Sequence, residues 1–318
     1  MIRIRPYTEA DADRWDAFCA DAYMATFLHT RRFLGYHGTR FRDLSVTIEY
    51  KDDWWGVLPA AAHPQHPGCV VSHPGITYGG MLHQGRLRGQ AMLDAFGAVG
   101  AYYREQGLET LLYKPVPSIY HRAPAQDDLY ALFRLGARRT RCDLSCAIDL
   151  AAPLPKSQRR KRALKKAEKA GAQVQPAAAA QVGALWGVLE ENLRRKHGAT
   201  PVHSLAEIEE LARRFPEAIE FVVGLHDARV EAGVVLFKTP MAHHAQYIAA
   251  SPLANDIGLL DRVFAFCIDQ ARRAGVRYFD FGISNEDQGQ VLNQGLFDFK
   301  AGFGGGGVVH EFYELGLG

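Results

Sequence analysis

The stretch from Phe279 to Gly307 combines residue types that could act on an acyl group. An apolar, strand-like run leads into a polar turn at residues 284–287, and a helix-like segment then carries a single lysine, Lys300, beside Phe299. The segment closes on four consecutive glycines, where backbone can approach a ligand closely. A lysine in such a place could stabilise negative charge on a carbonyl oxygen. The same pattern also fits a plain strand–helix–strand connection with a flexible glycine turn.

An internal comparison favours chemistry at Lys300. Two pairs of helix-ending glycines share one separation (275 − 107 and 304 − 136 both give 168): Gly107 with Gly275, and Gly136 with Gly304. Two halves that align without a gap indicate one supersecondary unit used twice. In this register Lys300 corresponds to Leu132, so the architecture accepts leucine where the second half has lysine.

Composition restricts the class of protein. With 318 residues, of which 47% are hydrophobic and 23% charged, the chain has room for two domains of an ordinary globular protein. A net charge of +2 does not indicate DNA binding, and the five cysteines form no CxxC pair, which favours a reducing cytoplasm. No apolar run reaches the ~18 residues of a membrane span. Four histidines in the first half are separated by prolines and glycines, so we expect no metal: His63, His66, His73 and His83.

Residues 1–150 are expected to form the first domain. An aromatic-rich stretch contains His37 and Arg40, and a strand broken by glycines carries His73, Tyr78 and Gly79. A strand interrupted in this way is either the wall of a ligand pocket or a β-bulge or edge turn. Next, residues 86–91 match R-x-x-G-x-A, the pattern with which GNAT-type acetyltransferases hold a coenzyme A pyrophosphate, although the pattern is short and common.

Residues 151–318 are expected to form the second domain. A proline-marked linker leads into RRKRALKKAEKAG, residues 159–171, a basic helix that is either a solvated face or a contact for an anionic partner. Two helices, three antiparallel strands, a helix and a strand follow, which is the GNAT order of elements. The loop after the third of these strands, SPLANDIG, lacks the R/Q-x-x-G-x-G/A residues, which counts against ordinary coenzyme A binding in this half.

The basic helix, the tandem halves and the C-terminal GLFDFKAGFGG resemble the Fem-type (FemAB-like) transferases over nearly the whole chain. The resemblance implies an α/β fold, with mixed sheet, of two tandem GNAT-like domains. The best-known members transfer an aminoacyl group from tRNA to an amine of a peptidoglycan precursor. In the family the lysine after the motif phenylalanine stabilises the oxyanion, which implies Lys300 here. An arginine of the basic helix binds precursor phosphate, which implies Arg162.

The expected function is therefore transfer of an acyl or aminoacyl group to an amine of a cell-envelope precursor, either a sugar nucleotide or a peptidoglycan-type molecule. The donor is acyl-CoA or aminoacyl-tRNA, and the oligomeric state stays open. Alternatives are an acyl-CoA-dependent N-acetyltransferase of another small amine, and a catalytically degenerate GNAT-fold binding protein. Amine attack requires a base. The expected catalytic residues are Lys300, Glu286 and Asp280, and the expected substrate-binding residues are Arg162, Arg159, His37, Arg40, His73, Tyr78, Gly79, His244 (also a candidate base), Tyr247, Ser284, Asn285, Asn293 and Phe299.

Overall fold

The computed structural model describes the backbone of all 318 residues and every side chain except those of Lys196 and His197. The chain forms two compact units, and each is assembled from separate segments: unit 1 from Met1–Leu144, Asn285–Leu292 and Val309–Gly318, and unit 2 from Ser145–Ser284 and Asn293–Val308. After residue 284 the chain returns to unit 1 twice, at Asn285 and at Val309.

Unit 1 is a mixture of strands and helices that follows the apolar periodicity of its sequence. Its elements are β1 (Arg3–Pro6), α1 (Ala12–Asp21), α2 (Arg31–Leu34), β2 (Val46–Tyr50), β3 (Asp53–Leu58), β4 (Ala61–Ala62), β5 (Cys69–Val71), β6 (Leu82–His83), α3 (Gln90–Glu105), β7 (Thr110–Tyr113) and α4 (Asp127–Arg134). Strands β1, β2, β3 and β6 form one antiparallel sheet, while β5 pairs antiparallel with β4 and parallel with β7. Helix α3 buries Met92, Phe96, Val99 and Tyr103, spaced three and four residues apart, in the core of this unit.

Strand β8 (Arg138–Asp149) carries the chain across the boundary into unit 2. Unit 2 contains α5 (Gln158–Lys169), β9 (Gln173–Pro176), α6 (Ala179–His197), α7 (Leu205–Arg214), β10 (Ile219–His226), β11 (Arg229–Lys238), β12 (Ala242–Ala250), α8 (Pro252–Ile257), α9 (Leu259–Arg273), β13 (Tyr278–Ile283) and α10 (Gln294–Ala301). Strands β9 to β12 are antiparallel neighbours, β12 pairs parallel with β13, and β13 pairs antiparallel with the second half of β8.

The core of unit 2 lies between α9 and the sheet. Helix α9 is strongly amphipathic and buries Leu260, Phe264, Cys267 and Ala271, which are spaced three to four residues apart. The Phe264 ring centroid lies 5.0 Å from that of Phe281 on β13 and 5.4 Å from that of Phe303, just after α10. Aromatic packing therefore fixes the end of β13 and the end of α10 against the same helix.

Two short strands, β14 (Asn285–Glu286) and β15 (Val291–Leu292), form a hairpin of unit 1 between β13 and α10. The last strand, β16 (Gly306–Gly316), begins in unit 2 and continues in unit 1, where it pairs antiparallel with β7.

The separation of 168 residues that the sequence predicts is present in the structure. Helix α9, strand β13 and helix α10 follow α3, β7 and α4 at this distance, within one or two residues at each end. Leu132 on α4 and Lys300 on α10 occupy equivalent positions, and both side chains are buried. A lysine thus stands at a position where the repeated unit buries an apolar residue.

Candidate active site

Strands β12 and β13 run parallel for only three residue pairs and then separate. The pairs are Ala242 with Tyr278, His243 with Phe279, and His244 with Asp280. Just beyond them β12 has a β-bulge at Gln246, the residue skipped between the pairs that Ala245 and Tyr247 make with β11. Bulges are frequent beside active sites because they re-aim side chains and interrupt backbone pairing. The opening between the two strands begins at the last pair, His244 with Asp280.

Asp280 holds the ring of His244 at this opening. Its carboxylate is fully buried: Oδ1 accepts from the Ser145 hydroxyl at 2.5 Å and from the Gly282 N–H at 3.0 Å, and Oδ2 lies 2.8 Å from His244 Nδ1. Because a carboxylate accepts, Nδ1 carries the proton in this pair and the lone pair of the neutral ring lies on Nε2. The His244 side chain is 15% exposed. This geometry suits His244 as the base and Asp280 as the group that orients it.

Gly282 joins this pair to Lys300. Its φ of 78° lies in the left-handed region that favours glycine, and a Cβ here would stand 3.2 Å from His244 Cε1. Its carbonyl and that of Ile283 accept hydrogen bonds from Lys300 Nζ at 2.9 and 2.6 Å. Gly282 therefore lies against both groups: the absence of a side chain leaves room for the imidazole, and the carbonyl accepts from the ammonium.

Lys300 is a buried cation, and the whole residue is only 2% exposed. Burial lowers its pKa from 10.5 to about 8, against the opposing effect of Asp280 and the Cys146 thiol group nearby. The ammonium form still predominates at neutral pH. Two of the three N–H groups of the ammonium donate to the carbonyls of Gly282 and Ile283. The third can donate to an oxygen on which negative charge develops.

The glycine run is closely packed at its start, unlike the flexible turn that the sequence also allows. Gly304 and Gly305 are buried, and a Cβ would stand 2.4 Å from the Leu154 carbonyl oxygen at the first and 2.7 Å from Cys146 Sγ at the second. These two glycines therefore allow Leu154 and Cys146 to approach the backbone after α10 closely.

The start of α10 is tied to the end of β13. Asn293 donates its backbone N–H to the Ser284 carbonyl at 2.9 Å, and its side-chain oxygen caps the helix by accepting from Leu296 N–H at 3.0 Å. The Ser284 hydroxyl is fully buried and forms no hydrogen bond with the side chains and backbone that the structure describes. The structure thus joins Ser284 to Asn293 at the start of α10, while Lys300 near the end of that helix bonds to the carbonyls of Gly282 and Ile283.

The end of α10 is held by an arginine that sequence reasoning missed. Arg160 on α5 is buried, donates to Asp261 at 2.6 Å, and stacks its guanidinium 4.5 Å from the ring centroid of Phe299 and 5.5 Å from that of Phe303. A signal was present, because Arg160 and Ala167 lie seven residues apart on one face of the basic helix and are its two buried residues. The predicted phosphate-binding residues, Arg159 and Arg162, are exposed on α5.

Tyr247 lies on β12 beyond the bulge. Its hydroxyl is 2.5 Å from His203 Nδ1, and its ring packs edge-on against Trp186 with centroids 5.2 Å apart. Burial raises the pKa of this phenol, so it stays neutral and acts only as a hydrogen-bonding group.

The equivalent opening in unit 1, between β5 and β7, is closed by the chain itself. Ser72 N–H donates to the Leu112 carbonyl at 3.0 Å, and its hydroxyl accepts from Lys114 N–H at 2.8 Å. Gly79 N–H donates to the Lys114 carbonyl at 2.8 Å, where a Cβ would stand 2.0 Å from the Ser72 carbonyl oxygen. Hydrogen bonds within the unit thus fill the place that stays open in unit 2.

The other candidates of unit 1 lie around this closing loop. His37 and His73 pack with ring centroids 5.3 Å apart, Tyr78 packs on Tyr120, and Arg40 is exposed. Burial lowers the pKa of His73 to about 3, so its ring is neutral.

The R-x-x-G-x-A pattern of unit 1 meets a carboxylate. Gly89 N–H, at the start of α3, donates to Asp127 Oδ1 at 2.8 Å. One of the N–H groups that would bind a phosphate therefore donates to a protein carboxylate instead.

Glu286 and Asn285 belong to the hairpin of unit 1. The Asn285 side-chain oxygen accepts from Leu144 N–H, and Glu286 is exposed. We therefore place neither in the group of residues around Lys300 in unit 2.

The loop after β12 forms helix α8 in place of a phosphate-binding loop. Ser251 caps it by accepting from Ala254 N–H, and the helix ends at Gly258, where a Cβ would stand 2.5 Å from the Ala163 carbonyl oxygen of α5. Helix α5 thus packs directly on the turn between α8 and α9, so that this turn is closed by protein.

Among the side chains that the structure describes, no group of three or more His, Cys, Asp and Glu residues is arranged to hold a metal ion. A search of the same described residues finds no helix with the length and apolar character needed to cross a membrane.

Comparison with known proteins agrees with this fold. Residues 156–300 match the family model of an acetyltransferase (GNAT) domain, whereas no curated protein sequence matches the chain significantly. FemX has a similar structure, with a TM-score of 0.71 at 12% identity over 98% of this chain and 96% of that chain. L-PGS from Bacillus licheniformis gives 0.64 at 13% identity over 96% and 91%.

A third solved structure is a tandem GNAT protein from the clavulanic acid biosynthesis pathway, with a TM-score of 0.53 at 12% identity over 100% of this chain and 99% of that chain. At these identities the likeness shows the fold, which is two GNAT-like domains in tandem. The expected fold class is confirmed.

Proposed function

We propose that this chain, an acyltransferase with the Fem-like tandem GNAT fold, transfers an aminoacyl group to an amine of a cell-envelope precursor. The observation that carries the proposal is the grouping of His244, Asp280 and Lys300 where β12 and β13 separate. A base and a cation at one opening are the two groups that amide formation from an activated ester requires.

The base prepares the acceptor. An amine is protonated at neutral pH and attacks only after it loses a proton. His244 Nε2 takes this proton, while Asp280 stabilises the imidazolium through Nδ1–H and is itself held by Ser145 and Gly282. The amine nitrogen then forms a bond with the carbonyl carbon of the donor.

The cation stabilises the intermediate. Attack places negative charge on the carbonyl oxygen, and the ammonium of Lys300 lies in a buried site where such charge is worth several kcal/mol. Collapse of the intermediate breaks the bond from carbon to the leaving oxygen or sulfur. The leaving group takes the proton that His244 collected, which restores the neutral ring, and the amide nitrogen releases its surplus proton to solvent.

The donor we favour is aminoacyl-tRNA. The turn from α8 to α9 is packed against Ala163 and lacks the residues that hold a pyrophosphate in coenzyme A-dependent relatives. In unit 1 the equivalent opening is closed, and Gly89 N–H is bound to Asp127. An acyl-CoA donor is the alternative that the experiment below compares directly.

The acceptor we propose is a sugar nucleotide or peptidoglycan-type precursor that carries a primary amine. This acceptor class follows from the resemblance of the basic helix and the C-terminal GLFDFKAGFGG to the Fem-type transferases. The five cysteines are unpaired, which fits the cytoplasmic location that we propose.

The test is transfer of labelled acyl groups by the full chain. Bulk tRNA charged with labelled amino acids, or labelled acetyl-CoA, is incubated with the enzyme and a nucleotide-linked muramyl peptide, and amide products are identified by mass spectrometry. We expect product from charged tRNA, none from His244→Ala, and a normal yield from Lys51→Met, which removes an exposed lysine of unit 1. Product only from acetyl-CoA would refute the donor assignment. Acceptor binding without product from either donor would support a binding protein.

A further inference from the structure

We infer that the exposed face of α4 and the turn after it form a docking surface for an anionic lipid bilayer. Three apolar side chains project from this surface: Tyr130 is 50% exposed, Phe133 77% and Leu135 42%. Arg134, Arg138 and Arg139, all exposed, belong to the same short stretch. Exposed aromatic residues beside arginines are typical of protein surfaces that rest at a membrane–water interface.

The exposed residues lie on the face of α4 opposite the one that the helix buries. The helix buries Asp128, Ala131 and Leu132, and Tyr130 and Phe133 lie on the opposite side at the helical spacing of three residues. Isolated apolar side chains on a surface are ordinary, but neighbouring ones on a single turn form a continuous patch.

The repeat within the chain provides the control. At the separation of 168 residues, Tyr130 and Phe133 correspond to Asp298 and Ala301 on α10. The equivalents of the arginines are glycines: Arg134 corresponds to Gly302, Arg138 to Gly306 and Arg139 to Gly307. The same helix and turn therefore form without aromatic or basic residues at these positions, so the architecture does not explain them.

The charges favour an anionic surface as the occupant. The Arg134 guanidinium donates to the Tyr130 hydroxyl at 2.9 Å and forms no ion pair within the described part of the chain. Arg138 and Arg139 pair with Glu314 and Glu311, but both arginine side chains are more than half exposed, at 69% and 55%. Exposed pairs of this kind are weak, and a guanidinium has five N–H donors, so each can also bind a lipid phosphate.

A lipid bilayer explains both parts of the surface at once. Aromatic rings enter the headgroup region with their apolar part, while arginines bind phosphates around them. A second copy of this chain would have to supply negative charge opposite the arginines and an apolar pocket for Phe133. Binding to the bilayer requires neither a bound cation, nor a nucleotide, nor a hydrophobic helix.

The experiment is flotation of the full chain with lipid vesicles. Vesicles of mixed phosphatidylglycerol and phosphatidylcholine are compared with vesicles of phosphatidylcholine alone, at low and high ionic strength. We expect binding to the anionic vesicles, weaker binding at high salt, and little binding to phosphatidylcholine. The variant Tyr130→Asp/Phe133→Ala, which introduces the residues of the second half, should bind at least about tenfold more weakly.

The control is Val202→Ala, which removes an apolar side chain that is 85% exposed in unit 2. It should bind like the wild type, and both variants should keep the wild-type unfolding midpoint. Wild-type protein that stays with neither kind of vesicle would overturn the inference, as would a double variant that binds fully. A concentration-dependent dimer in sedimentation velocity that the double variant loses would assign the surface to a second copy of the chain instead.

Discussion

Replacement of Lys300 by methionine separates the roles that the structure gives to this residue. Methionine has a similar length and no charge, and the equivalent position in the first half holds leucine, so the helix should still form. The variant loses the hydrogen bonds to the carbonyls of Gly282 and Ile283 but also removes a buried charge. If Lys300 provides the cation for the oxyanion, turnover depends on it while acceptor binding does not.

The two effects on stability oppose each other. The fall in pKa from 10.5 to about 8 corresponds to roughly 3 kcal/mol against the charged form in the folded protein. Hydrogen bonds to a charged group contribute roughly 1.5–3 kcal/mol each. We therefore expect Lys300→Met to lower the free energy of unfolding by no more than about 2 kcal/mol at neutral pH. In contrast, loss of a transition-state cation costs about 2.7–4 kcal/mol in the barrier, which lowers turnover by about two to three orders of magnitude.

The pH dependence gives an independent readout. The active form of Lys300 is protonated, so the wild-type rate should fall as pH rises through about 8, and Lys300→Met should lack this limb. The sign for stability is opposite. Because the folded pKa is below the unfolded value, the unfolded state binds more protons between about pH 8 and 10.5, and this group adds stability as pH rises across that window.

The assay is single-turnover transfer of a labelled acyl group at saturating acceptor, with unfolding by urea measured at neutral and alkaline pH. Lys51→Met is the matched control, because it removes an exposed lysine that lies between β2 and β3. A Lys300→Met enzyme with wild-type turnover and an unchanged alkaline limb would refute the role of this residue. An acyl group covalently attached to Lys300 would show that it attacks the donor directly.

Three further predictions, two of them with a comparison variant, concern the surroundings of Lys300. Asp280→Asn should lower kcat by about 10⁴-fold because the imidazole loses the partner that fixes its tautomer. Ser145→Ala should lower kcat by less than about tenfold. Gly282→Ala should destabilise the fold by about 1–2 kcal/mol and also lower turnover. Gly171→Ala, at a similar φ of 67° but with no atom within 4 Å of the added Cβ, should destabilise the fold without lowering turnover. Urea unfolding and the transfer assay, measured on both variants, distinguish the two effects. Arg160→Met leaves a buried aspartate unpaired and should cost about 3–5 kcal/mol of stability, and a normal unfolding midpoint would contradict this.

Elements with strong periodicity could be predicted from the sequence. Strands β10 to β13 and helix α9 follow one another in the predicted order, because their apolar residues alternate or recur at helical spacing. The separation of 168 residues also singled out Lys300 without any structure. These signals are local, and the segments that carry them fold as their patterns indicate.

The rest depends on contacts between residues far apart in the chain. The glycine run reads as a flexible turn, yet Gly304 and Gly305 are buried because Leu154 and Cys146 pack against them. Arg160 reads as one charge among many in a basic helix, yet its partner Asp261 lies 101 residues away. Helix α8 reads as a loop since it has only six residues and is stabilised by a serine cap. Composition and spacing carry no information about such partners.

The division of the chain into interleaved segments has a consequence for any attempt to separate its halves. The backbone passes between the two units at residues 144–145, 284–285, 292–293 and 308–309, so no single cut releases either one. A fragment that begins at residue 151 would lack Ser145 and therefore the hydroxyl that donates to Asp280. It would also lack β7, which pairs with the terminal strand β16, and would leave that edge open to other chains. The second half carries the proposed catalytic groups, yet the hydroxyl that holds Asp280 comes from a residue before the predicted domain boundary at 150–151.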